Sequence, residues 1–179
     1  RGSGSPFRPT SPPATPTPAA PIERRLAGSA YGDVLALARR ITAGQATVYG
    51  QVQAIAEYLR SRYTYDETPP QRGLPLHAFL LRDRVGHCQQ FSGAMSLMLR
   101  MLGIPSRIAT GFSPGTAESG KPGTFLVRDY DAHSWVEAYF MGIGWVTFDP
   151  TPAAAPVSGP RFGAGTSAGT FVNTANTSA

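Results

Sequence analysis

The chain has 179 residues, of which 17 are proline and 20 glycine, about a fifth of the total against roughly 12% in an average protein. The excess marks two flanks: residues 1–21 hold seven prolines and no acid, and residues 153–179 hold one charge, Arg161, so the net +5 falls to +2 over Ile22–Pro152. Basic residues are scattered, which argues against a nucleic-acid tract despite a pI near 9.8, and no apolar run approaches the roughly 18 residues needed to cross a bilayer.

The first 21 residues have the composition of a disordered Pro-rich linker, extended and short of apolar groups. From Tyr31 to Ile41, the apolar positions Val34, Leu37, Ala38 and Ile41 follow helical spacing, with Gly44 suited to end the element. A second helix is predicted from Thr47 to Arg62 on Val52, Ile55, Ala56 and Leu59, with Thr47 as its N-cap. Pro69-Pro70 ends any regular element after the aromatic run Tyr63–Tyr65. A third helix runs from Cys88 to Leu102, with Gly103 as its cap and Pro105 beyond.

The second half reads as strands: 107–112, 124–130, 133–140 and 144–149, rich in β-branched and aromatic residues. Met141-Gly142-Ile143 is a tight hairpin connection between the last two. Helices first and strands afterwards predict an α+β fold with an antiparallel sheet, since no crossover helix fits between those strands. The folded domain is bounded at 22–152, and residues 153–179 form a flexible Gly/Ala/Ser/Thr-rich tail in which Phe162 and Phe171 are the isolated aromatics. The chain does not begin with methionine and carries no signal peptide, which reads as a fragment or processed form.

Cys88 is the single cysteine, so no intrachain disulfide and no multi-cysteine metal site can form. It stands where a loop enters a helix, and unpaired N–H groups with the positive end of the helix dipole favour a thiolate there. A thiolate nucleophile needs a base, and the base an orienting group. Among His77, His87 and His133, the last is best placed. A hairpin centred near residue 141 puts 133 opposite 149, so that Asp149 accepts from one imidazole nitrogen and leaves the other for Cys88. The opposite face then carries Val136, Ala138, Phe140, Val146 and Phe148. The competing readings are a buried structural thiol for Cys88 and a turn cap for Asp149.

Around these residues, GHCQQFSGAMSLMLRMLGIPSRIATGF followed by DAHSWVEAYFMGIGWVTFDPTP resembles the transglutaminase-like superfamily. Within it the chain is most similar to the extracytoplasmic domain of bacterial membrane-bound protein-glutamine gamma-glutamyltransferases. The segment ITAGQATVYGQVQAIAEYLRSRYTY resembles their helical prelude, so the likeness spans about Tyr31 to Pro152. It implies a papain-like core in which the cysteine helix packs on the antiparallel sheet. Carried over by position, it makes Cys88 the nucleophile, His133 the general base and acid, and Asp149 the orienting carboxylate. It also implies a domain soluble by itself, in an extracytoplasmic place, with a membrane-anchored parent.

The resulting expectation is a cysteine acyltransferase or hydrolase acting on glutamine side-chain or peptide amides through a thioester, with a protein or peptide as acyl donor and an amine or water as acceptor. Neither a cofactor nor a nucleic-acid partner is expected. A zinc site on Cys88, His133 and Asp149 is the rival chemistry, but such sites usually contain more histidine. No clustered carboxylate loop supports calcium dependence. Gln89 and Trp135 are substrate or oxyanion candidates, though a helix-start polar residue and a packed aromatic need no such role. The Cys88 N–H is the better oxyanion donor. Asp131 fixes the loop before His133 or is solvated; His87 and His77 read as a loop and a packing residue, and Arg107 as an ion-pair partner. A non-catalytic scaffold, a cysteine peptidase or amidase, and a cell-surface assembly module working through its tails remain the alternatives.

Overall fold

A computed structural model describes Leu26 and residues 28–152. The linker 1–21 and the tail 153–179, with Phe162 and Phe171, lie outside the described residues.

Helix α1 (Gly32–Thr42) buries Val34, Leu35, Leu37 and Ala38, with Asp33 in its first turn and Arg39 and Arg40 in its last, each complementing the helix dipole. Gly44 follows at φ +85, a left-handed conformation that lets the chain reverse. Helix α2 (Val48–Arg62) starts as expected, Thr47 Oγ1 accepting from Gly50 N at 3.0 Å, and buries Val52, Ile55, Ala56 and Leu59.

Between α2 and the cysteine helix the chain does more than the sequence suggested. Strand β1 (Thr64–Tyr65) is followed by the short helix α3 (Pro75–Ala78), started by Pro75, and by a π-helical turn, Phe79–Asp83. Arg84 closes that turn in the left-handed region (φ 54), its N–H donating to Phe79 O at 3.1 Å. The Leu80 carbonyl is satisfied by the buried Tyr63 hydroxyl at 2.6 Å. Strand β2 (Val85–Gly86) then pairs parallel to β1, Tyr65 facing Gly86. The excursion from Asp66 to Arg84 is long enough for such a parallel crossover.

Helix α4 (Cys88–Met101) lies at the centre, packed on α1 and α2 on one side and on strands β3 (Ser106–Phe112) and β6 (Ala132–Phe140) on the other. That position explains why Phe91, Ala94, Met95, Met98 and Leu99 are all fully buried: the helix is covered from both sides. It ends at Gly103 (φ +79), with Gly103 N–H donating to Arg100 O at 3.0 Å and Ile104 N–H to Leu99 O at 2.9 Å, a Schellman closure.

The main sheet is antiparallel in the order β3-β6-β7, with β7 at Gly144–Phe148. Val136, Ala138 and Phe148 are buried against α4, with Phe140 and Val146 at the margin of the same core. On the other face Arg107 pairs with Glu137 and stacks 4.2 Å from the Trp145 ring centroid. The strand expected over 124–130 is reduced to β5 (Phe125–Leu126), which pairs with β4 (Thr116–Ala117). A side chain competes with the ladder there: Asp131 Oδ2 accepts the Arg128 N–H at 2.8 Å and winds Asp129–Asp131 into a 3₁₀ turn.

The hairpin register differs by two residues from the expected one. Phe140 pairs with Gly144 and Val136 with Phe148, so the centre lies at Gly142 rather than 141. Asp149 therefore stands level with Trp135, not His133. Gly142 (φ +80) and Gly144 (φ +102) carry the turn. Because the shift is even, the parity of the faces survives, and every side chain stays on its expected side.

Candidate active site

The loop before α4 is built to end in a cysteine. His87 caps the helix: its Nδ1 accepts the Gln89 N–H at 3.2 Å, while its own N–H donates to Gln90 Oε1 at 3.0 Å. The imidazole of His87 is thus occupied with its own helix. Gly86 leaves space for this arrangement, since a Cβ there would sit 2.7 Å from Gln90 Oε1 and 2.9 Å from the Phe79 ring. The Gln90 and Phe91 N–H groups bond to His87 O. Among the described residues the Cys88 N–H has no hydrogen bond, as befits the first residue of a helix.

Cys88 is half-buried, and His133 and Ser134 of β6 are the neighbours that act on its sulfur. His133 Nε2 lies 2.8 Å from Asp149 Oδ2, which leaves Nδ1 for the thiol. Asp149 reaches back diagonally from beyond β7, a contact available to side chains offset by two on the same face. Its second oxygen, Oδ1, accepts the Thr151 N–H at 2.9 Å, and its carbonyl accepts from Arg60 Nη1 on α2 at 3.0 Å. The structure thus brings Cys88, His133 and Asp149 into one line, although the cross-strand pairing expected for the last two is replaced by the diagonal.

The electrostatics follow from these contacts. Burial by itself would push the Cys88 thiol up, but the hydrogen bonds from His133 and Ser134 and the charge on His133 outweigh it, and the thiol is held below its ordinary range. His133 is raised to about 9, first by its hydrogen bond to Asp149 and then by that to Cys88, against the opposing effect of burial. Asp149 is desolvated yet lowered, because the imidazolium and the Thr151 contact hold its charge. These directions favour a charged sulfur and a charged imidazole beside each other, backed by a carboxylate.

Trp135 is half-buried, its ring centroid 6.4 Å from that of His133. It lies across Gly111, which pairs with His133 in the ladder and where an added Cβ would sit 2.9 Å from the indole edge. Gln89 is exposed on the first turn of α4. Asp131 is buried and fixes the turn before His133. His77 packs edge-on against Tyr31 at 5.9 Å. Among the described residues, no group of three or more His, Cys, Asp and Glu side chains is placed to hold a metal ion.

Four neighbours of the site were not singled out in the sequence. Arg60 carries no local signal, being 89 residues from its acceptor. Tyr65, placed beside Gly86 by the parallel pairing, feels the Cys88 charge after the effect of its own burial, both raising its phenol. Ser92 and Ser134, both buried, meet hydroxyl to hydroxyl at 2.9 Å beneath the cysteine. The Ser92 position, one turn after Cys88, was the available hint.

A family model described as the transglutaminase-like superfamily matches residues 35–150, from α1 to the residue after Asp149. The chain belongs to the transglutaminase-like superfamily. It is 39% identical over 126 residues to the YebA protein of Bacillus subtilis, covering 66% of this chain. It is 36% identical over 115 residues to a protein-glutamine gamma-glutamyltransferase of Pseudomonas aeruginosa, covering 60% of this chain. The aligned part spans only 17% of the length of each of these relatives. The crystal structure of the periplasmic domain of TgpA from Pseudomonas aeruginosa superposes with a TM-score of 0.62 at 29% identity, over 73% of this chain and 47% of that one. The α+β architecture, with the cysteine helix against an antiparallel sheet, is that of the superfamily. No helix among the described residues is long and apolar enough to cross a membrane.

Proposed function

We propose that this domain is a cysteine acyltransferase or thiol hydrolase that acts on glutamine side-chain or peptide amides of protein substrates. The observation that carries the reading is the alignment of sulfur, imidazole and carboxylate, with His133 Nε2 and Asp149 Oδ2 2.8 Å apart and the other ring nitrogen left for Cys88. In the first half-reaction the Cys88 thiolate attacks the amide carbonyl carbon. The developing oxyanion is received by the Cys88 N–H. The C–N bond breaks as imidazolium His133 hands its proton to the leaving amine or ammonia, and a thioester remains on Cys88. In the second half, an amine or water attacks the thioester, His133 accepts the proton of the attacking group, and the thiolate departs. Asp149 holds the imidazole in one orientation and balances its charge throughout.

The relative named as a protein-glutamine gamma-glutamyltransferase supports a protein glutamine as acyl donor, and the periplasmic origin of the TgpA domain supports an extracytoplasmic place for this one; a membrane-anchored parent belongs to the same proposal. Incubation with a glutamine-donor peptide and a fluorescent primary amine tests the reading. A labelled adduct that disappears in Cys88→Ala marks a transferase; ammonia or peptide cleavage without adduct, again lost in Cys88→Ala, marks a hydrolase. If no product forms and iodoacetamide labels Cys88 with the titration of a free thiol near 8.5, the domain is a non-catalytic scaffold.

A further inference from the structure

The hydroxyls beneath the sulfur have one proton more than their own contact uses. Ser92 lies one turn after Cys88 on α4, and Ser134 follows His133 on β6, its side chain on the helix-facing side with Val136 and Ala138. Both are buried, at 0% and 2% exposure, so water does not serve them. Their oxygens are 2.9 Å apart and either can donate. That bond takes one of the two hydroxyl protons. The second has two possible acceptors: the Gln89 carbonyl, which Ser92 Oγ meets at 3.4 Å, at the outer limit of a hydrogen bond, or the Cys88 sulfur beside Ser134. One turn further along α4, Ser96 and Ser106 form a similar buried pair at 3.1 Å, but there Ser106 also meets the Ser96 carbonyl at 3.1 Å and the pair is satisfied locally.

We propose that Ser134 is the hydroxyl donor to the Cys88 thiolate and that Ser92 is a positioning residue that orients it. This rests on the reading of Cys88 as a nucleophile. When the sulfur is charged, Ser134 Oγ–H points at it and Ser92 Oγ–H points at Ser134. When the sulfur becomes a neutral thioester it no longer attracts a proton. Ser134 then turns to donate to Ser92, and Ser92 to the Gln89 carbonyl. No bond to hydrogen is broken; two rotors turn. The pair thereby favours the charged sulfur, both before attack and when the thiolate departs in the second half-reaction.

The test is the pH dependence of Cys88 alkylation by iodoacetamide in the full chain, which needs no substrate. The ionisable groups facing the sulfur are His133 on β6, backed by Asp149, and Tyr65 on β1, and all variants retain them. Ser134→Ala is expected to move the midpoint up by about one unit or more, the size of a hydrogen bond to a charged group. Ser92→Ala moves it in the same direction by less, and Ser134→Thr, which keeps the hydroxyl, stays with the parent. Ser96→Ala, which removes an equally buried hydroxyl away from the sulfur, leaves the midpoint unchanged. A parent with a low midpoint and a Ser134→Ala variant that matches it overturns the proposal while sparing the nucleophile. Equal shifts in Ser134→Ala and Ser96→Ala overturn it too, because they report packing. Should Ser134→Ala fail to fold, an unshifted Ser92→Ala overturns it. A parent that titrates like a free thiol sinks the nucleophile reading itself.

Discussion

Arg60, near the end of α2, donates from Nη1 to the main-chain carbonyl of Asp149 at 3.0 Å. The helical layer thereby grips the peptide that carries the site's carboxylate, after the chain has left β7. The accompanying Arg60–Glu57 ion pair is largely exposed on the Glu57 side and adds little stability. Arg60→Ala is expected to lower kcat/KM by about tenfold, through displacement of Asp149, with little change in thermal stability. Steady-state kinetics alongside a melting curve check this; unchanged kcat/KM would mean that Thr151 and His133 hold Asp149 unaided.

Asp149→Asn keeps the shape of the site and removes its charge. His133 then loses the first cause of its elevation, so its ring titration should fall well below the parent's value of about 9. Turnover should drop by on the order of 10³–10⁴-fold, the size of the loss when the analogous carboxylate of a catalytic triad is neutralised. NMR titration of the imidazole, paired with kcat, tests both; a turnover loss without movement of the ring titration would point to a packing defect.

Stability should depend on pH in a direction set by which way each group is shifted. A histidine raised above its ordinary 6.5 contributes stability that is whole below that value and is lost as pH rises through about 9. Asp149, lowered from 3.8, contributes above that value and loses its contribution as pH falls through its folded pKa. Cys88, lowered from 9.0, acts in the opposite sense to His133 and masks its slope. In Cys88→Ala the mask is gone and His133, held up by Asp149 alone, titrates below the parent's value of about 9, so the melting temperature should be level between about pH 4 and 6.5 and fall as pH rises above 6.5, levelling off before 9. A second change, His133→Ala, should flatten that fall; persistence of the slope would assign it to other groups.

Gly86→Ala should cost more than its size suggests. The added methyl meets Gln90 Oε1 and the buried Phe79 ring, so either the helix cap opens or the core shifts. A loss of about 1–3 kcal/mol is expected from overpacking. Because the cap directly precedes Cys88, kcat should fall as well if Cys88 reacts as proposed. Urea unfolding and turnover of the variant check this; an unchanged cap in a structure of Gly86→Ala would show that Phe79 yields instead.

Much of this was legible locally. The caps at Thr47 and Gly103 are short-range chemistry, in which the donor and acceptor lie within a few residues of each other. The division of β6 and β7 into an apolar and a site-bearing face was legible because side chains alternate strictly along a strand. The parallel pairing of β1 with β2 was not, because two residues of strand give no periodicity to count. The shortened β5 was not, because Val127–Tyr130 has strand composition while Asp131, next in line, takes the Arg128 N–H for a turn.

The amino-acid order by itself determined that Cys88 opens a helix, that His133 and Asp149 share a face, and that the chain is α+β. Those properties rest on spacing and parity, which survive a shift of two in register. Only the tertiary structure decided how His133 meets Asp149, along a diagonal set by the turn through Gly142 and Gly144. It alone brought Arg60 to the Asp149 carbonyl, Tyr65 beside the sulfur, and Ser92 against Ser134. Each of these joins groups far apart in the chain, and such contacts are chosen by the packing of α4 between two layers, not by any local pattern.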